Sequence, residues 1–370
     1  MLDPRIYRFP FIRPSIPPVE EWVHYLEQAY RAKWFSNFGP VVLQLETQLT
    51  TRICHPDEVI TTASNCTAGI SAALIALDVR GAVLIPAFTF PATMSAVTMA
   101  GARACVLDVD LDTWCLSVAL LEKVLRVEDC SAVVLVAPFG LRQDFSEHLK
   151  ICRRYNVPVV IDNAAGLGEK GSAMLDENSF EVFSLHATKP FAIGEGGAIR
   201  SRVSWAQALR LALNFGLKHG VPQKGWGING KLPEVSAAIG LAVLKNFDEI
   251  LAHRRAVAQS YIELLCNYDG LIFRQDTMDA PWQSFPVLFP SPFVAQRFIH
   301  CAAEKGLQVR QGYEPSLEDW PRTCKFHPSL NARSLAARMG LLPVYSDTSE
   351  DEMAAIVQIV DESLQHALTC

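Results

Sequence analysis

FSLHATKPFAIGEGG, residues 183–197, places one lysine, Lys189, between a short apolar run and a cluster of glycines. Lysine is strongly hydrated and is rare among small and aromatic residues unless it is paired or takes part in chemistry. In a poorly solvated pocket the pKa of its ammonium falls, and the side chain becomes a nucleophilic amine of the kind that forms Schiff bases. On this stretch alone, a surface lysine at the end of a strand is the simpler interpretation. The surrounding sequence has to decide between the two.

Length and composition describe a compact globular protein. The chain has 370 residues, of which 50% are apolar and 19% are charged, so it can bury a large core and is not of the disordered class. Its length predicts two domains, or one large domain with a smaller appendage. The net charge is −6 and no run of Lys and Arg is longer than a pair, so nucleic acid is not an expected partner.

Ten cysteines are scattered along the chain without a CxxC pair or a Cys/His spacing suited to zinc. Neither a metal site nor a disulfide framework is predicted, and the cysteines are interpreted as small buried thiols in a reducing compartment. Prolines interrupt the N-terminus where a signal peptide needs an unbroken apolar core, so a cytoplasmic protein is expected. Pro86 and Pro91 divide the one long uncharged run into a strand and a helix, which argues against a membrane span.

The first two thirds of the chain repeat a cycle of short apolar strand, polar loop and helix. Helical spacing is present at Val19–Ala32 and Val41–Leu49, and the cycle follows. An alternation of this kind predicts an α/β protein with a mostly parallel, doubly wound sheet that has helices on both faces. The predicted strands are Val59–Thr62, Ala82–Pro86, Ala104–Leu107, Ala132–Ala137, Val157–Ile161, Val182–Leu185 and Gly197–Ser201.

The last third predicts a smaller α/β unit. Pro233–Leu265 has a largely helical pattern and is interpreted as the connection between domains, and strands are predicted at Phe285–Phe289 and Leu307–Arg310. An irregular segment at 318–328 precedes a last helix that begins with a capping box at Ser349–Glu352. We therefore expect an N-terminal arm and helix at residues 1–35, a large domain at 36–245 and a small C-terminal domain at 246–370.

Polar and aromatic residues follow the predicted strands, and the carboxyl ends of the strands in such sheets are where ligands bind. Thr67 opens a helix whose free N–H groups suit an anion such as phosphate, although an isolated cluster of this type is usually a helix cap. Asp162 ends a buried strand and needs a cationic partner, which a pyridinium N–H, an arginine or a helix N-terminus could provide. Phe90 could lie against an aromatic ligand or belong to the core. In chain order these groups and Lys189 match the phosphate, ring, ring nitrogen and aldehyde carbon of pyridoxal 5′-phosphate (PLP).

The combination of motifs resembles the DegT/DnrJ/EryC1/StrS family of PLP-dependent aminotransferases. The motifs are TAG at 67–69, IPAFTFPAT at 85–93, DVDLDTWCL at 108–116, IDNAAG at 161–166, FSLHATKPFAIGEGG at 183–197 and GINGKLPEVSAAIGL at 227–241. The resemblance implies PLP fold type I, the aspartate aminotransferase-like fold, with residues 36–245 as the PLP-binding domain.

Site roles follow from the same resemblance, position by position. It makes Lys189 the Schiff-base lysine and Asp162 the partner of the pyridinium nitrogen, with Phe90 stacked on the ring. It assigns binding of the cofactor phosphate to Thr67, Ala68 and Ser184, and it places Ala165 beside the phenolic oxygen of the ring. Asn229 corresponds to a residue that reaches the phosphate of the neighbouring subunit, so a homodimer with shared active sites is implied.

Three positions depart from the family pattern. Ala165 stands where Gln or His is usual, Lys231 stands where arginine is common, and residues 314–318 replace a Pro-Pro-Leu-His-like segment. An exchange of Arg for Lys is not conservative where a bidentate contact is needed. These departures concern the identity of the substrate more than the use of the cofactor.

The implied activity is transfer of an amino group, with glutamate as the expected donor, to a nucleotide-linked keto-sugar in secondary-metabolite or surface-glycan biosynthesis. One alternative is a PLP-dependent deoxysugar dehydratase, but dehydratases of this family generally have His at the lysine position, so Lys189 argues against it. Another is a non-catalytic regulatory or binding protein of the same fold, which Ala165 and the segment 314–318 would suit.

Overall fold

The computed structural model describes residues 7–168, 173–275, 277, 279–320, 324–325 and 328–369. None of the helices in these ranges is both long and apolar enough to cross a membrane. The α-helices are α1 (Val19–Trp22), α2 (Leu26–Ala32), α3 (Pro40–Ile53), α4 (Cys66–Ala76), α5 (Ala92–Met99), α6 (Val118–Leu125), α7 (Ser146–Arg154), α8 (Ala206–Leu213), α9 (Glu234–Lys245), α10 (Phe247–Leu265), α11 (Pro292–Glu304), α12 (Leu330–Arg338) and α13 (Glu350–Leu368). The strands are β1 (Glu58–Ala63), β2 (Ala82–Pro86), β3 (Arg103–Leu107), β4 (Cys130–Val136), β5 (Val159–Asp162), β6 (Ser179–Ser184), β7 (Gly197–Arg202), β8 (Leu217–Lys218), β9 (Val221–Pro222), β10 (Ser284–Leu288), β11 (Arg310–Gln311), β12 (Cys324–Lys325) and β13 (Met339–Pro343).

An eight-stranded sheet organises the larger part of the chain, in the order β1-β7-β6-β5-β4-β2-β3-β12. The strands run parallel except at β7, which is antiparallel to both of its neighbours. The predicted mostly parallel sheet is confirmed. Helices α4, α5 and α8 cover one face, and α6 and α7 cover the other. Burial on both faces explains why the strands read as continuous apolar runs.

A three-stranded antiparallel sheet, β10-β13-β11, forms in the C-terminal part of the chain. Helices α11 and α13 contribute to the core beneath it. The predicted capping box at the start of α13 is confirmed, since the side chains of Ser349 and Glu352 each accept a hydrogen bond from the other's backbone N–H. The division into domains at residues 35 and 245 remains a proposal.

Several predicted elements differ from the structure. The single helix predicted at Val19–Ala32 is interrupted by a 3₁₀ turn at Val23–Tyr25, because Trp22 leaves helical geometry and its indole N–H donates to the Pro17 carbonyl. The helical stretch from Pro233 is two helices separated at Asn246, whose backbone is not helical. The strand predicted at 307–310 is wrong, since regular pairing begins only at Arg310. Residues 321–323 and 326–327 of the irregular segment 318–328 lie outside the described residues.

The cysteine interpretation holds in part. Seven cysteines in the described ranges are buried thiols, but Cys266 is exposed just beyond the end of α10, so that prediction is wrong there. Cys266 closes the last turn of its helix by donating its N–H to Ile262, and its side chain lies on the outer surface. The side chains of Cys324 and Cys370 lie outside the described residues.

The N-terminal arm connects the two sheets. The Phe9 N–H donates to the Gly306 carbonyl and the Phe9 carbonyl accepts from the Gln308 N–H, which ties the arm beside the C-terminal sheet. Further along, Arg13 forms ion pairs with Asp347 at 2.8 Å and with Glu352 at 2.9 Å. The arm is thereby fixed over the end of the large sheet where Lys189 lies.

A close backbone contact at Gly197 sets the position of helix α4 against strand β7. A Cβ atom at Gly197 would lie 2.6 Å from both the carbonyl carbon and the carbonyl oxygen of Asn65. We therefore expect Gly197→Ala to lower the free energy of unfolding by about 1–3 kcal/mol, as in other cases of overpacking. Urea denaturation measures this difference. Gly225→Ala is the matched control, because a Cβ there meets nothing within 4 Å, and an equal effect of the two substitutions would contradict the expectation.

Candidate active site

Lys189 lies in the loop after β6, at the carboxyl-end edge of the large sheet. Its N–H donates to the His186 carbonyl, and its Nζ donates to Gln283 Oε1 at 2.8 Å. The side chain is half-buried. Burial lowers the pKa of the Lys189 ammonium, and the nearby Cys66 and Asp162 act in the opposite direction. A lysine with a lowered pKa supplies the free amine that a Schiff base requires.

Asp162 is the last residue of β5, and its carboxylate is buried. One oxygen accepts from the Thr93 hydroxyl at 2.7 Å, and the other accepts from the Ala164 N–H at 3.2 Å. Burial raises the pKa of Asp162, and the two hydrogen bonds and the charge of Lys189 limit that rise. Within the described ranges no cationic side chain forms an ion pair with Asp162. A buried carboxylate with this set of neutral donors fits a group that brings its own positive N–H, such as a pyridinium ring.

The proposed phosphate donors cluster where β1 and β6 end. Asn65 caps α4, and its side-chain oxygen accepts from the Ala68 N–H at 2.8 Å. The Ala68 N–H is therefore already bonded to the helix cap. Thr67 is half-buried in the first helical turn, and the buried Ser184 accepts a hydrogen bond from the His186 N–H at 3.3 Å. Two hydroxyls and a helix N-terminus are the donor types that bind a phosphate.

The other predicted contacts lie at the margin of this group. The Phe90 side chain is 63% exposed. Ala165 is buried, and its backbone lies against Gly140, where an added Cβ would be 2.3 Å from the Ala165 oxygen. Asn229 is exposed and accepts from Lys231 Nζ at 2.7 Å. The exposed Phe90 ring and Asn229 amide are therefore accessible to a ligand or to a second subunit.

The departing segment 314–318 is anchored on the loop that carries Phe90. The Ser316 hydroxyl and the Leu317 N–H both donate to the Ala87 carbonyl. Glu318 is buried, where it accepts from the Ser329 N–H and pairs with Arg333 at 2.7 Å. The segment thus has a clear packing role beside the site.

Sequence reasoning missed three residues of the site. Thr93 lies within the quoted motif IPAFTFPAT but was given no role there, and Cys66 directly precedes Thr67. Their positions in these motifs were the available signals. Gln283 is 94 residues from Lys189 along the chain, and no local pattern connects the two.

Known proteins resemble this chain over most of its length. Residues 18–361 match the model of the DegT/DnrJ/EryC1/StrS aminotransferase family. Protein Rv3402c of Mycobacterium tuberculosis is 31% identical, with 97% of this chain and 90% of that protein covered. The dTDP-4-amino-4,6-dideoxy-D-glucose transaminase of Shigella dysenteriae is 28% identical, with 95% of this chain and 97% of that protein covered.

A solved structure has the same fold as this chain. A protein of Bacillus cereus ATCC 10987, provisionally assigned as a PLP-dependent aminotransferase, superposes with a TM-score of 0.87 at 28% identity, covering 95% of this chain and 99% of that one. The predicted fold of the PLP-dependent aminotransferases is confirmed. The match extends over nearly the whole chain, from the first helix to the last. The chain belongs to the DegT/DnrJ/EryC1/StrS aminotransferase family.

Proposed function

We propose that this aminotransferase uses PLP to move an amino group from glutamate to a nucleotide-linked keto-sugar, in secondary-metabolite or surface-glycan biosynthesis. The observation that carries the proposal is the pairing of Lys189, whose pKa is lowered by burial, with the buried Asp162, at one edge of one sheet. The sugar assignment is supported by the family and by the Shigella relative, which is named as a transaminase of a dTDP-linked sugar.

In this proposal Lys189 holds the aldehyde carbon of the cofactor, and Asp162 holds the proton on the ring nitrogen. When bound, PLP supplies a ring that accepts the electron pair left on a substrate carbon after that carbon loses its proton. Lys189 Nζ would take that proton from the substrate carbon and deliver it to the former aldehyde carbon, on the other side of the transferred nitrogen, which requires the unprotonated amine. Thr93 and the Ala164 N–H orient the Asp162 carboxylate for its task.

The phosphate is assigned to the N-terminal end of α4. Thr67 and Ser184 would donate through their hydroxyls, and the helix N-terminus adds a partial positive charge. Ala68, the third residue assigned to the phosphate, lies in the same turn, where its N–H donates to the Asn65 side chain. Phe90 would cover one face of the ring and Ala165 would lie near its phenolic oxygen, where a methyl group cannot donate a hydrogen bond.

We also propose that two copies of the chain share their active sites. An exposed apolar surface, here called the dimer face, lies on α2, α3, α9 and the loop that joins α2 to α3, and the three helices pack on one another. It contains Tyr30, Trp34, Phe35, Leu43 and Val235. A surface of this kind marks an interaction site in a globular protein. A second copy is the occupant that also explains why Asn229 faces outward.

Subunit complementation tests the shared sites. If Asn229 serves the partner's site, Lys189→Ala and Asn229→Ala chains are each strongly impaired alone. A 1:1 mixture that has exchanged subunits then regains about a quarter of wild-type activity, because half of the dimers are mixed and each mixed dimer has one intact site. Activity assays before and after exchange measure this gain. A mixture no more active than the mean of its two parents would refute the sharing.

A further inference from the structure

A side chain from the C-terminal part of the chain holds the amine of Lys189. Gln283, directly before β10, accepts from Lys189 Nζ at 2.8 Å. Both side chains are half-buried, which makes the hydrogen bond less exposed to competition from water. This contact joins the large sheet to the residue that directly precedes the first strand of the smaller one.

The backbone of Gln283 is fixed by one buried arginine on α10. Arg254 Nε donates to the Trp282 carbonyl at 2.9 Å, and a terminal nitrogen donates to the Gln283 carbonyl at 3.0 Å. Its other terminal nitrogen donates to the Ser346 hydroxyl at 2.8 Å. Burial lowers the pKa of Arg254 to about 9, so the guanidinium remains charged at pH 7. A buried charge that depends on these carbonyls strongly resists their displacement.

The neighbouring tryptophan restrains the same segment from the other side. Trp282 is fully buried and stacks on Phe285, with ring centroids 5.1 Å apart and an angle of 19° between the planes. Gln283 therefore has a backbone held by Arg254, an anchored residue before it and a strand after it. The fold thus fixes the backbone from which the Gln283 side chain extends, and the amide oxygen at its end accepts from Lys189 Nζ.

Lys189, Gln283, Arg254 and Ser346 line one small cavity of about 20 Å³, which the N-terminal arm closes with Phe11 and Arg13. Among the described residues, the charged and titratable groups that act on Lys189 or line its cavity are Asp162 on β5, Cys66 on α4, Arg254 on α10 and Arg13 in the arm. Gln283 is the neutral group that contacts Nζ directly.

We propose that Gln283 is a positioning residue that docks the free amine of Lys189 whenever that amine is released from the cofactor. This inference rests on the proposed function, in which an incoming amino donor displaces Lys189 and the lysine must then stay within reach of the proton it moves. A docked amine needs no search before each proton transfer, and a misplacement of about 1 Å can cost 10²-fold in rate.

The docking contact can be tested without turnover, on the full chain freed of cofactor. Acetic anhydride modifies unprotonated amines, and peptide mass spectrometry across a pH series gives the pH at which Lys189 becomes reactive. We expect Gln283→Glu to raise this pH by about 1–3 units, since a carboxylate favours the ammonium, and Gln283→Leu to lower it. Gln311→Glu is the matched control, and the exposed Lys245 is the internal reference.

Two results would overturn the docking role. One is that the pH dependence of Lys189 acetylation is the same in Gln283→Glu as in Gln311→Glu, while both variants keep the thermal midpoint of the parent. The other comes from single-turnover reactions of the loaded enzyme with glutamate, where Gln283→Leu is expected to be slower by about 10- to 100-fold with unchanged glutamate affinity. An unchanged rate would refute docking. A wild-type enzyme that fails to react with glutamate would instead refute the proposed function, and the Lys189 profile would still be readable.

Discussion

Lys189→Ala is expected to abolish transamination, with a loss of at least about 10⁴-fold, because one amine both holds the cofactor and moves the proton. The same substitution should remove the visible absorbance band that a lysine-bound cofactor gives. The substitution removes the hydrogen bond from Nζ to Gln283, but within the described ranges Lys189 forms no ion pair that would be lost. Stability should therefore change little.

Lys245→Ala is the matched control for this experiment, because Lys245 is exposed at the end of α9. That variant should keep both the absorbance band and the activity. Turnover by Lys189→Ala within tenfold of the parent, in a protein with a normal thermal midpoint, would show that another group performs the chemistry.

Asp162→Asn is expected to keep the cofactor bound but to slow the proton shift by about 10²- to 10³-fold, the range for removal of one preorganised electrostatic contact. Asparagine has the shape of aspartate, and its one side-chain oxygen can still accept from the Ala164 N–H, while its NH₂ group faces the Thr93 hydroxyl, which can rotate to accept. It has no negative charge, so it cannot keep a proton on the ring nitrogen. Stopped-flow absorbance after mixing with glutamate measures the step.

Thr93→Ser tests whether the loss comes from the charge itself. Serine keeps the hydroxyl that donates to Asp162 at 2.7 Å, so this variant should react at nearly the parental rate. Near-normal rates in Asp162→Asn would indicate that the ring nitrogen has a different partner.

Much of the large sheet could be predicted because its strands are buried on both faces. Short apolar runs such as Ala82–Pro86 have no other stable location, and the structure gives that strand the same bounds. The capping box at Ser349 was equally readable, since it depends on residues three positions apart. Local chemistry determines both features.

Features that depend on tertiary contacts could not be read in this way. The contact between Lys189 and Gln283 joins residues 94 positions apart, and the exposure of Phe90 depends on how the loops close around it. The interruption at Val23–Tyr25 follows from a hydrogen bond of Trp22 to Pro17 that helical spacing does not encode. Periodicity reports which face is buried, and it carries no information about distant partners.

The reaction of the cofactor-loaded protein with glutamate alone is the most direct test of the proposed function. A transaminase with Lys189 as its cofactor-binding lysine should lose its visible absorbance as the amino group passes to the cofactor. It should release one equivalent of 2-oxoglutarate per active site, and addition of a keto-sugar nucleotide should restore the band. A protein that stays yellow in glutamate, or one that never acquires the band when supplied with PLP, would contradict the account.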